Sequence, residues 1–242
     1  MTFTLVGHRG AMGLEPENTL RSFRRAVEDG ADAIELDLRL SADGHLVILH
    51  DGDVARTTNG RGEVARMTLA EIRELDAGDG EHVPTFHEVL DAVDVPIQAE
   101  IKAPEALPVA VDVIRDRRLL DRVTVTSFSV EVIRQALTLL PGLRTGLISS
   151  KAPREYVDLA RSMGVQVLCF GIGALDAEVV DLGHRSHLQI MGWPVNDTER
   201  LLHALRSGAD GVTSDVPGLL RNACDRNPEV KALLSGRLAR QV

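Results

Sequence analysis

Short apolar runs with the composition of β-strands alternate eight times with helical patterns, and this alternation limits the folds open to the chain. The runs cover residues 3–7, 32–38, 96–102, 123–128, 145–149, 165–170, 188–193 and 211–214. Helix-like stretches follow nearly every run, at 19–29, 86–93, 105–119, 130–140, 154–163, 175–183, 197–207 and about 217–223. Two strands that are connected by a helix lie parallel to each other in a sheet. Eight such units without a linker therefore predict an α/β fold. We expect a closed (β/α)₈ TIM barrel, a single domain over 1–242, with a doubly wound open sheet as the alternative.

One strand-like run, LVILHD at 46–51, is left over from the count of eight and follows an Asp43-Gly44 pair. Asp-Gly between two alternating runs is typical of a two-residue hairpin turn. We therefore expect this run to extend strand 2 as an antiparallel β-hairpin outside the barrel. A two-residue turn places His50 opposite Asp37, on the same face of the sheet, whereas a longer turn would shift this register.

Residues 52–84 form an insertion before the third barrel strand. Its segment TLAEIRELDAG predicts a short helix that stops at Gly78. The insertion could be a lid above the catalytic end of the barrel, or a segment that only packs against the barrel. Three pairs at capping-box spacing predict helix starts, namely Thr68 with Glu71, Thr85 with Glu88 and Asn196 with Glu199.

Three carboxylates are predicted to meet at the mouth of the barrel. Glu35 and Asp37 alternate with aliphatic residues on strand 2, and Glu100 holds a similar place on strand 3. Bare carboxylates would repel one another, and a divalent cation removes that repulsion. Ligands that are all oxygen favour Mg²⁺, Ca²⁺ or Mn²⁺. For each acid alone, the alternative is a solvated residue or a partner of Arg39 or Lys102.

Two histidines and two cations are predicted to flank these acids. His8 ends strand 1 and His50 ends the hairpin, and an imidazole pKa near neutrality suits general acid–base catalysis. Arg9 follows His8 between glycines, and Lys102 shares the face of Glu100, so both could bind a phosphorus anion. Salt bridges to nearby carboxylates are the alternative for both cations. The set meets the needs of phosphodiester hydrolysis: neutralised phosphoryl oxygens, an activated nucleophile and a protonated leaving oxygen.

Composition argues against several other classes of protein. The formal net charge of −9 is not that of a nucleic-acid binder, which usually carries a basic face. No apolar run approaches the ~20 residues of a membrane span, and the first residues lack the features of a signal peptide. Cys169 and Cys224 are too few for a disulfide scaffold. We expect a cytoplasmic protein without stable membrane association or a nucleic-acid partner.

A series of short motifs, each weak by itself, runs in order along nearly the whole chain. They are HRG at 8–10, PENT at 16–19, SF at 22–23, ELD at 35–37, HD at 50–51, RTTNGRGEV at 56–64, VPTFHEVL at 83–90, EIK at 100–102, TSF at 126–128, WPVN at 193–196 and GVTSDVP at 211–217. The ordered set resembles the glycerophosphodiester phosphodiesterase family, whose fold is a (β/α)₈ barrel with a small insertion. Pro194 and Ser214 depart from residues that are common in many relatives, and neither touches the predicted chemistry.

The resemblance implies hydrolysis of a small-molecule glycerophosphodiester to glycerol 3-phosphate and an alcohol, with one divalent cation, Mg²⁺ or Ca²⁺, as cofactor; Mn²⁺ also fits. The implied roles are general acid–base catalysis for His8 and His50, metal ligation for Glu35, Asp37 and Glu100, phosphate binding for Arg9 and Lys102, and a wall beside the glycerol for Phe128 and Trp193. Attack by a glycerol hydroxyl through a cyclic phosphate and direct attack by water both stay open. So do the leaving alcohol and the oligomeric state.

Two other functions fit the same barrel. A lysolipid phosphodiesterase, phospholipase-D-like or cyclising, would need an apolar rim facing the membrane, and the sequence holds one Trp and one Tyr. A non-catalytic barrel that binds a phosphometabolite is the third, since a fold alone does not imply activity. Loss of a histidine or an acid would favour that function, but all are present.

Overall fold

The apolar runs form parallel strands that close into a barrel. In the computed structural model, which describes residues 3–152 and 154–239, the strands are β1 Thr4–Gly7, β2 Ala33–Leu40, β3 Leu46–Ile48, β4 Ile97–Ile101, β5 Val123–Ser127, β6 Arg144–Ser149, β7 Val167–Gly171, β8 Gln189–Trp193 and β9 Gly211–Ser214. All except β3 are parallel to their neighbours, and β1 pairs with both β2 and β9. The pairing of β1 with β2 closes the eight parallel strands into a ring, and β3 pairs outside it. The predicted (β/α)₈ TIM barrel is therefore confirmed, and the open sheet is wrong.

The helices that follow the barrel strands cover their outer face, at or near the predicted positions, and a short helix lies in the insertion. Their bounds are α1 Leu20–Glu28, α2 Leu69–Arg73, α3 Phe86–Ala92, α4 Ala106–Asp116, α5 Val130–Leu139, α6 Arg154–Met163, α7 Ala177–Arg185, α8 Thr198–Ser207, α9 Pro217–Arg226 and α10 Pro228–Ala239. The sequence patterns did not predict α10. Among the helices of the described residues, none is long and apolar enough to cross a membrane.

Two of the three predicted capping boxes form. The side chains of Thr68 and Thr85 each accept a hydrogen bond from the backbone N–H of the glutamate three residues on. The side chain of that glutamate accepts a hydrogen bond from the backbone N–H of the threonine. The third prediction, at Asn196, is wrong because α8 begins one residue later, with Asp197 as its N-cap. The side chain of Asn196 instead accepts a hydrogen bond from the backbone N–H of Asp215, at 2.9 Å.

The hairpin forms after strand β2 as predicted, but its turn holds three residues, 42–44, and not two. This length shifts the register by one, so Leu49 lies opposite Asp37 and donates its N–H to the Asp37 carbonyl at 3.0 Å. The predicted pairing of Asp37 with His50 is therefore wrong. Strand β3 ends at Ile48, so His50 lies outside the ladder and the pleat does not fix the direction of its side chain.

Buried apolar side chains form a large core between strands and helices, a plug inside the barrel and a third cluster under the insertion. The plug contains Val6, Ala33, Ile148, Val167, Cys169 and Met191, with Trp193 packed against it. Cys169 is buried. The plug closes the barrel from within, so any ligand must enter from one end.

The insertion packs on β3 through its own apolar cluster of Val47, Leu49, Val54, Val64, Ile72, Ala77 and Val83. Helix α2 ends at Arg73, so the predicted helix stop at Gly78 is wrong. Gly78 has a φ of +105°, and a Cβ there would lie 3.1 Å from the ring of Pro16. An ion pair of 2.8 Å joins Arg21 to Asp79. These contacts hold the insertion against α1 and the loop that precedes it.

The C-terminal end of α3 and the residues after it are bonded by one arginine, which lies just before β5. The Arg122 guanidinium donates to the carbonyl oxygens of Val95 and Leu90, both at 3.2 Å, and to that of Val93. These carbonyl oxygens accept no hydrogen bond within the helix. Arg122 therefore supplies donors that only water would otherwise provide.

We expect Arg122→Met to lower the free energy of unfolding by about 1–3 kcal/mol, because it leaves these carbonyls without their charged donor. Urea unfolding followed by circular dichroism measures the change. Arg117→Met is the matched control, since Arg117 makes a surface ion pair with Asp91 of the same helix; its change should stay within about 0.5 kcal/mol. Equal effects of the two substitutions would contradict the capping role.

Candidate active site

The structure brings the three predicted carboxylates together at one end of the barrel. Strands β2 and β4 are adjacent, and their register places Asp37 directly beside Glu100. Glu35 lies two residues earlier on β2, on the same face. Ligand oxygens of the three side chains lie within 4.8 Å of one another, and all three residues are buried.

Burial and mutual repulsion disfavour three charges in this space. Burial, followed by the charges of Asp37 and Glu100, raises the pKa of Glu35 to about 8. Burial and the Asp37 charge also raise the pKa of Glu100. One buried oxygen of this group, Asp37 Oδ1, has no hydrogen-bond partner among the described residues. An all-oxygen set with an unsatisfied buried oxygen fits a hard divalent cation, which would stabilise the ionised forms. These residues could therefore hold such a cation.

Arg9 lies directly against the acids, in the turn that follows β1. Its backbone has a φ of +48°, and its N–H donates to Glu35 Oε2 at 2.9 Å. Its guanidinium Nε lies 3.2 Å from Asp37 Oδ2, as an ion pair, and Nη1 donates to Glu17 Oε1 at 2.9 Å. The next residue, Gly10, has a φ of +83°, and a Cβ there would collide with Ser22 of α1. The turn thus needs glycine for Arg9 to reach the acids.

Lys102 extends into the same space from the end of β4. Its Nζ donates to Glu100 Oε1 at 2.9 Å and lies 3.8 Å from Asp37 Oδ1. The same nitrogen lies 3.2 Å from His50 Nε2 and 5.7 Å from the centre of the Phe128 ring. The salt bridge to Glu100, an alternative in the sequence analysis, is therefore present, and it leaves Lys102 facing the pocket.

His8 is held by an aspartate that follows the last strand. Its Nδ1 lies 2.6 Å from Asp215 Oδ1, and because a carboxylate only accepts, Nδ1 carries the proton. Nε2 then faces the acids, 4.0 Å from Glu35 Oε2. Burial lowers the pKa of His8, but the Asp215 hydrogen bond and the Glu35 charge raise it more, so the net shift is upward. The other Asp215 oxygen accepts from Asn196 Nδ2 at 2.5 Å.

His50 is held in the same way as His8, through Nδ1, but by a different aspartate. Its Nδ1 lies 2.6 Å from Asp51 Oδ1, which leaves Nε2 pointing to Lys102. Its carbonyl oxygen accepts two hydrogen bonds from the Arg39 guanidinium, at 3.0 Å and 2.6 Å. Burial lowers the pKa of His50, and the Asp51 hydrogen bond opposes this only in part. Both imidazoles thus present Nε2 to the pocket that contains the acids.

The two aromatic residues named from sequence form one wall of this pocket. Phe128 and Trp193 meet edge to face, with ring centres 5.7 Å apart and planes at 87°. Trp193 donates its indole N–H to the Cys169 carbonyl at 3.1 Å, which fixes its ring. The hydroxyl of Thr126, buried without a hydrogen-bond partner, also lines the pocket. All nine candidate residues therefore border this end of the barrel.

Sequence reasoning missed the residues that hold these groups. Asp51 follows His50 directly, and Asp215 stands at the end of β9, so the rule that strand ends carry the site could have found both. Asn18, which donates to Asp37 Oδ2 at 2.8 Å and has a φ of +59°, gives no periodic signal.

Comparisons with known proteins give one family. A model described as the glycerophosphoryl diester phosphodiesterase family matches residues 8–219. A glycerophosphodiester phosphodiesterase of Caldanaerobacter subterraneus subsp. tengcongensis is 34% identical over 237 residues, which cover 92% of this chain and 98% of that protein.

Solved structures match with similar coverage. An Oleispira antarctica phosphodiesterase, in complex with the product sn-glycerol-3-phosphate, has a TM-score of 0.87 and 28% identity, and the match covers 92% of this chain and 96% of that one. A glycerophosphodiester phosphodiesterase of Thermotoga maritima has a TM-score of 0.82 and 27% identity, with coverage of 92% and 98%.

The raised pKa of Glu35 predicts how the stability of the metal-free protein changes with pH. The unfolded carboxyl loses its proton near pH 4.5, whereas the folded one keeps it until about pH 8. The folded state therefore binds more protons within this window, and its stability should fall as the pH rises through it. Thermal unfolding of chelator-treated protein between pH 5 and pH 8 measures the slope.

Glu35→Gln should flatten this slope, and Mg²⁺, Ca²⁺ or Mn²⁺ should raise the melting temperature of the natural chain most at pH 8. Glu131→Gln, at an exposed site on α5, serves as the control and should leave both effects unchanged. A slope that survives Glu35→Gln, together with a melting temperature that ignores the cations, would count against a metal site at these acids.

Proposed function

The chain belongs to the glycerophosphoryl diester phosphodiesterase family, and from that premise we propose that it hydrolyses glycerophosphodiesters to glycerol 3-phosphate and an alcohol. The observation that supports this most directly is the meeting of three carboxylates, two histidines, a guanidinium and an ammonium around one pocket. The product named for the Oleispira structure, sn-glycerol-3-phosphate, agrees with this reaction. Each chemical need of diester hydrolysis has a candidate group here.

The proposed ligands of the metal are Glu35, Asp37 and Glu100, with Mg²⁺ or Ca²⁺ as the cation and Mn²⁺ as a further possibility. When bound, a divalent cation supplies positive charge that neutralises phosphoryl oxygens and acidifies an attacking hydroxyl. Three features support this assignment: the oxygen-only ligand set, the raised pKa of Glu35, and a buried Asp37 Oδ1 that has no hydrogen-bond partner among the described residues.

The proposed phosphate ligands are Arg9 and Lys102. Each already lies against the acids, so a phosphate held beside those acids would lie within reach of both cations. A guanidinium binds two phosphate oxygens at once, whereas the ammonium acts as a point charge. Phe128 and Trp193 would bound the glycerol side with a rigid apolar surface, since the Trp193 ring is tied to the Cys169 carbonyl.

The proposed acid–base pair is His8 and His50. Each ring holds its Nδ1 proton on an aspartate, so Nε2 is the nitrogen available to the substrate. One histidine takes the proton of the attacking hydroxyl while the other protonates the leaving oxygen. If the glycerol hydroxyl attacks first, the two exchange roles when water opens the cyclic phosphate. With direct attack by water, the same pair serves a single step.

We expect His8→Ala and His50→Ala each to lower kcat by roughly 10²–10⁴ with the fold intact, because each removes a proton-transfer group. Steady-state kinetics on glycerophosphocholine and circular dichroism measure the two properties. His87→Ala, at an exposed position of α3, is the control and should keep normal turnover. Near-normal activity of either site variant would remove that histidine from the acid–base pair.

Thorough chelation should abolish turnover, and added Mg²⁺, Ca²⁺ or Mn²⁺ should restore it, because the buried acids alone repel an anionic substrate. Product analysis on a panel of glycerophosphodiesters, with intact lysolipid as a further substrate, tests the reaction. Full turnover in chelator would contradict the role given to the acids. Preference for lysolipid would favour the lysolipid phosphodiesterase, and glycerol phosphate binding without turnover would favour a non-catalytic barrel.

A further inference from the structure

We propose that Arg56, in the insertion, is a positioning residue that orients His50 through Asp51. The inference rests on the proposed function, because it gives Arg56 a role only if His50 transfers a proton. It would make the insertion part of the catalytic apparatus. The sequence left open whether the insertion is a lid or a segment that only packs against the barrel.

The Arg56 guanidinium uses all three of its nitrogens on two carboxylates. Nη1 and Nη2 donate to the two oxygens of Glu17, each at 2.8 Å, in a parallel fork. Nε donates to Asp51 Oδ2 at 2.5 Å. Such a fork holds the guanidinium plane in one orientation, so the direction of the Nε–H, and with it the position of Asp51, is set.

Asp51 passes this restraint to the imidazole. Its second oxygen, Oδ1, is the one that lies 2.6 Å from His50 Nδ1. The Arg56 hydrogen bond lowers the pKa of Asp51 to about 2, so Asp51 stays an ionised acceptor. The result is a continuous line of hydrogen bonds from Glu17 through Arg56 and Asp51 to His50.

Glu17 anchors the far end of this line to the site. Its Oε1 accepts from Arg9 Nη1 as well as from Arg56 Nη2. Burial raises the pKa of Glu17, but the two arginines lower it more, so the net shift is downward and Glu17 stays ionised. Arg56 is therefore tied to a side chain that is itself held beside the acids.

His50 needs such a support more than His8 does. The β3 ladder ends at Ile48. If β3 continued in the same register, His50 would lie on the face of the sheet opposite to Asp37. Arg39 holds the carbonyl of His50 but not its ring. The ring contacts Lys102 through Nε2 and Asp51 through Nδ1, and the position of Asp51 depends on Arg56.

Removal of Arg56 should spare the fold. Its side chain is 47% exposed, and Glu17, which is mostly buried, keeps its ion pair with Arg9 when Arg56 is removed. Arg73 is a matched control because it lies in the same insertion, is 46% exposed and pairs with Glu88 away from the site. Arg56→Met and Arg73→Met thus remove the same kind of group at equal exposure.

We expect Arg56→Met to lower kcat by about 10–100-fold while KM for glycerophosphocholine and the melting temperature stay near normal. Arg73→Met should leave kcat, KM and the melting temperature unchanged. Arg56→Lys should give an intermediate kcat, because lysine keeps the charge without the fork. Normal kcat in Arg56→Met, with His50→Ala impaired, would overturn this inference and leave the proposed function standing.

The double variant Arg56→Met/His50→Ala tests the path of the effect. If Arg56 acts through His50, the double variant should have the kcat of His50→Ala alone. A further tenfold loss would show that Arg56 acts elsewhere and would overturn the inference. Near-normal kcat in His50→Ala itself would overturn both the inference and the acid–base role proposed for His50.

Discussion

Repulsion among three buried carboxylates is the constraint around which this end of the barrel is built. Their oxygens lie within 4.8 Å of one another, where water cannot screen the charges well. The surrounding polar groups are arranged as donors toward them: the backbone N–H of Arg9, the amide of Asn18 and the ammonium of Lys102. These contacts leave Asp37 Oδ1 without a hydrogen-bond partner. A cation there would complete a set of interactions that the protein leaves unfinished.

The barrel makes this concentration of charge possible by its strand register. In a parallel sheet the side chains of neighbouring strands lie in rows, and the row at Asp37 and Glu100 falls at the open end. Below it the apolar plug excludes water, so the acids rest on a low-dielectric floor. The same floor strengthens every interaction that the acids make with a cation or a phosphate.

Periodicity was sufficient to predict the barrel strands, the helices that follow them and the three acids, because each depends on local pattern and on the rule that strand ends face one way. It failed where one residue of turn length or one tertiary partner decided the outcome. The hairpin turn is longer than its Asp-Gly pair predicted, and His50 reaches the pocket by leaving the strand. Asn196 has the residue type and spacing of an N-cap, but its side chain bonds Asp215, which is remote in sequence. Neither outcome could be derived from local sequence.

The groups that carry charge are not spread evenly around the mouth. They come from the ends of β1, β2 and β4, from the hairpin and from the turn after β9, whereas the arc from β5 to β8 offers Phe128, Trp193 and small or apolar neighbours. Under the proposed function, the groups that react and the residues that set the fit of the substrate therefore lie on different parts of the mouth. Under the proposed function, substitutions in the uncharged arc would change which substrates fit beside Phe128 and Trp193, and the charged groups would stay in place.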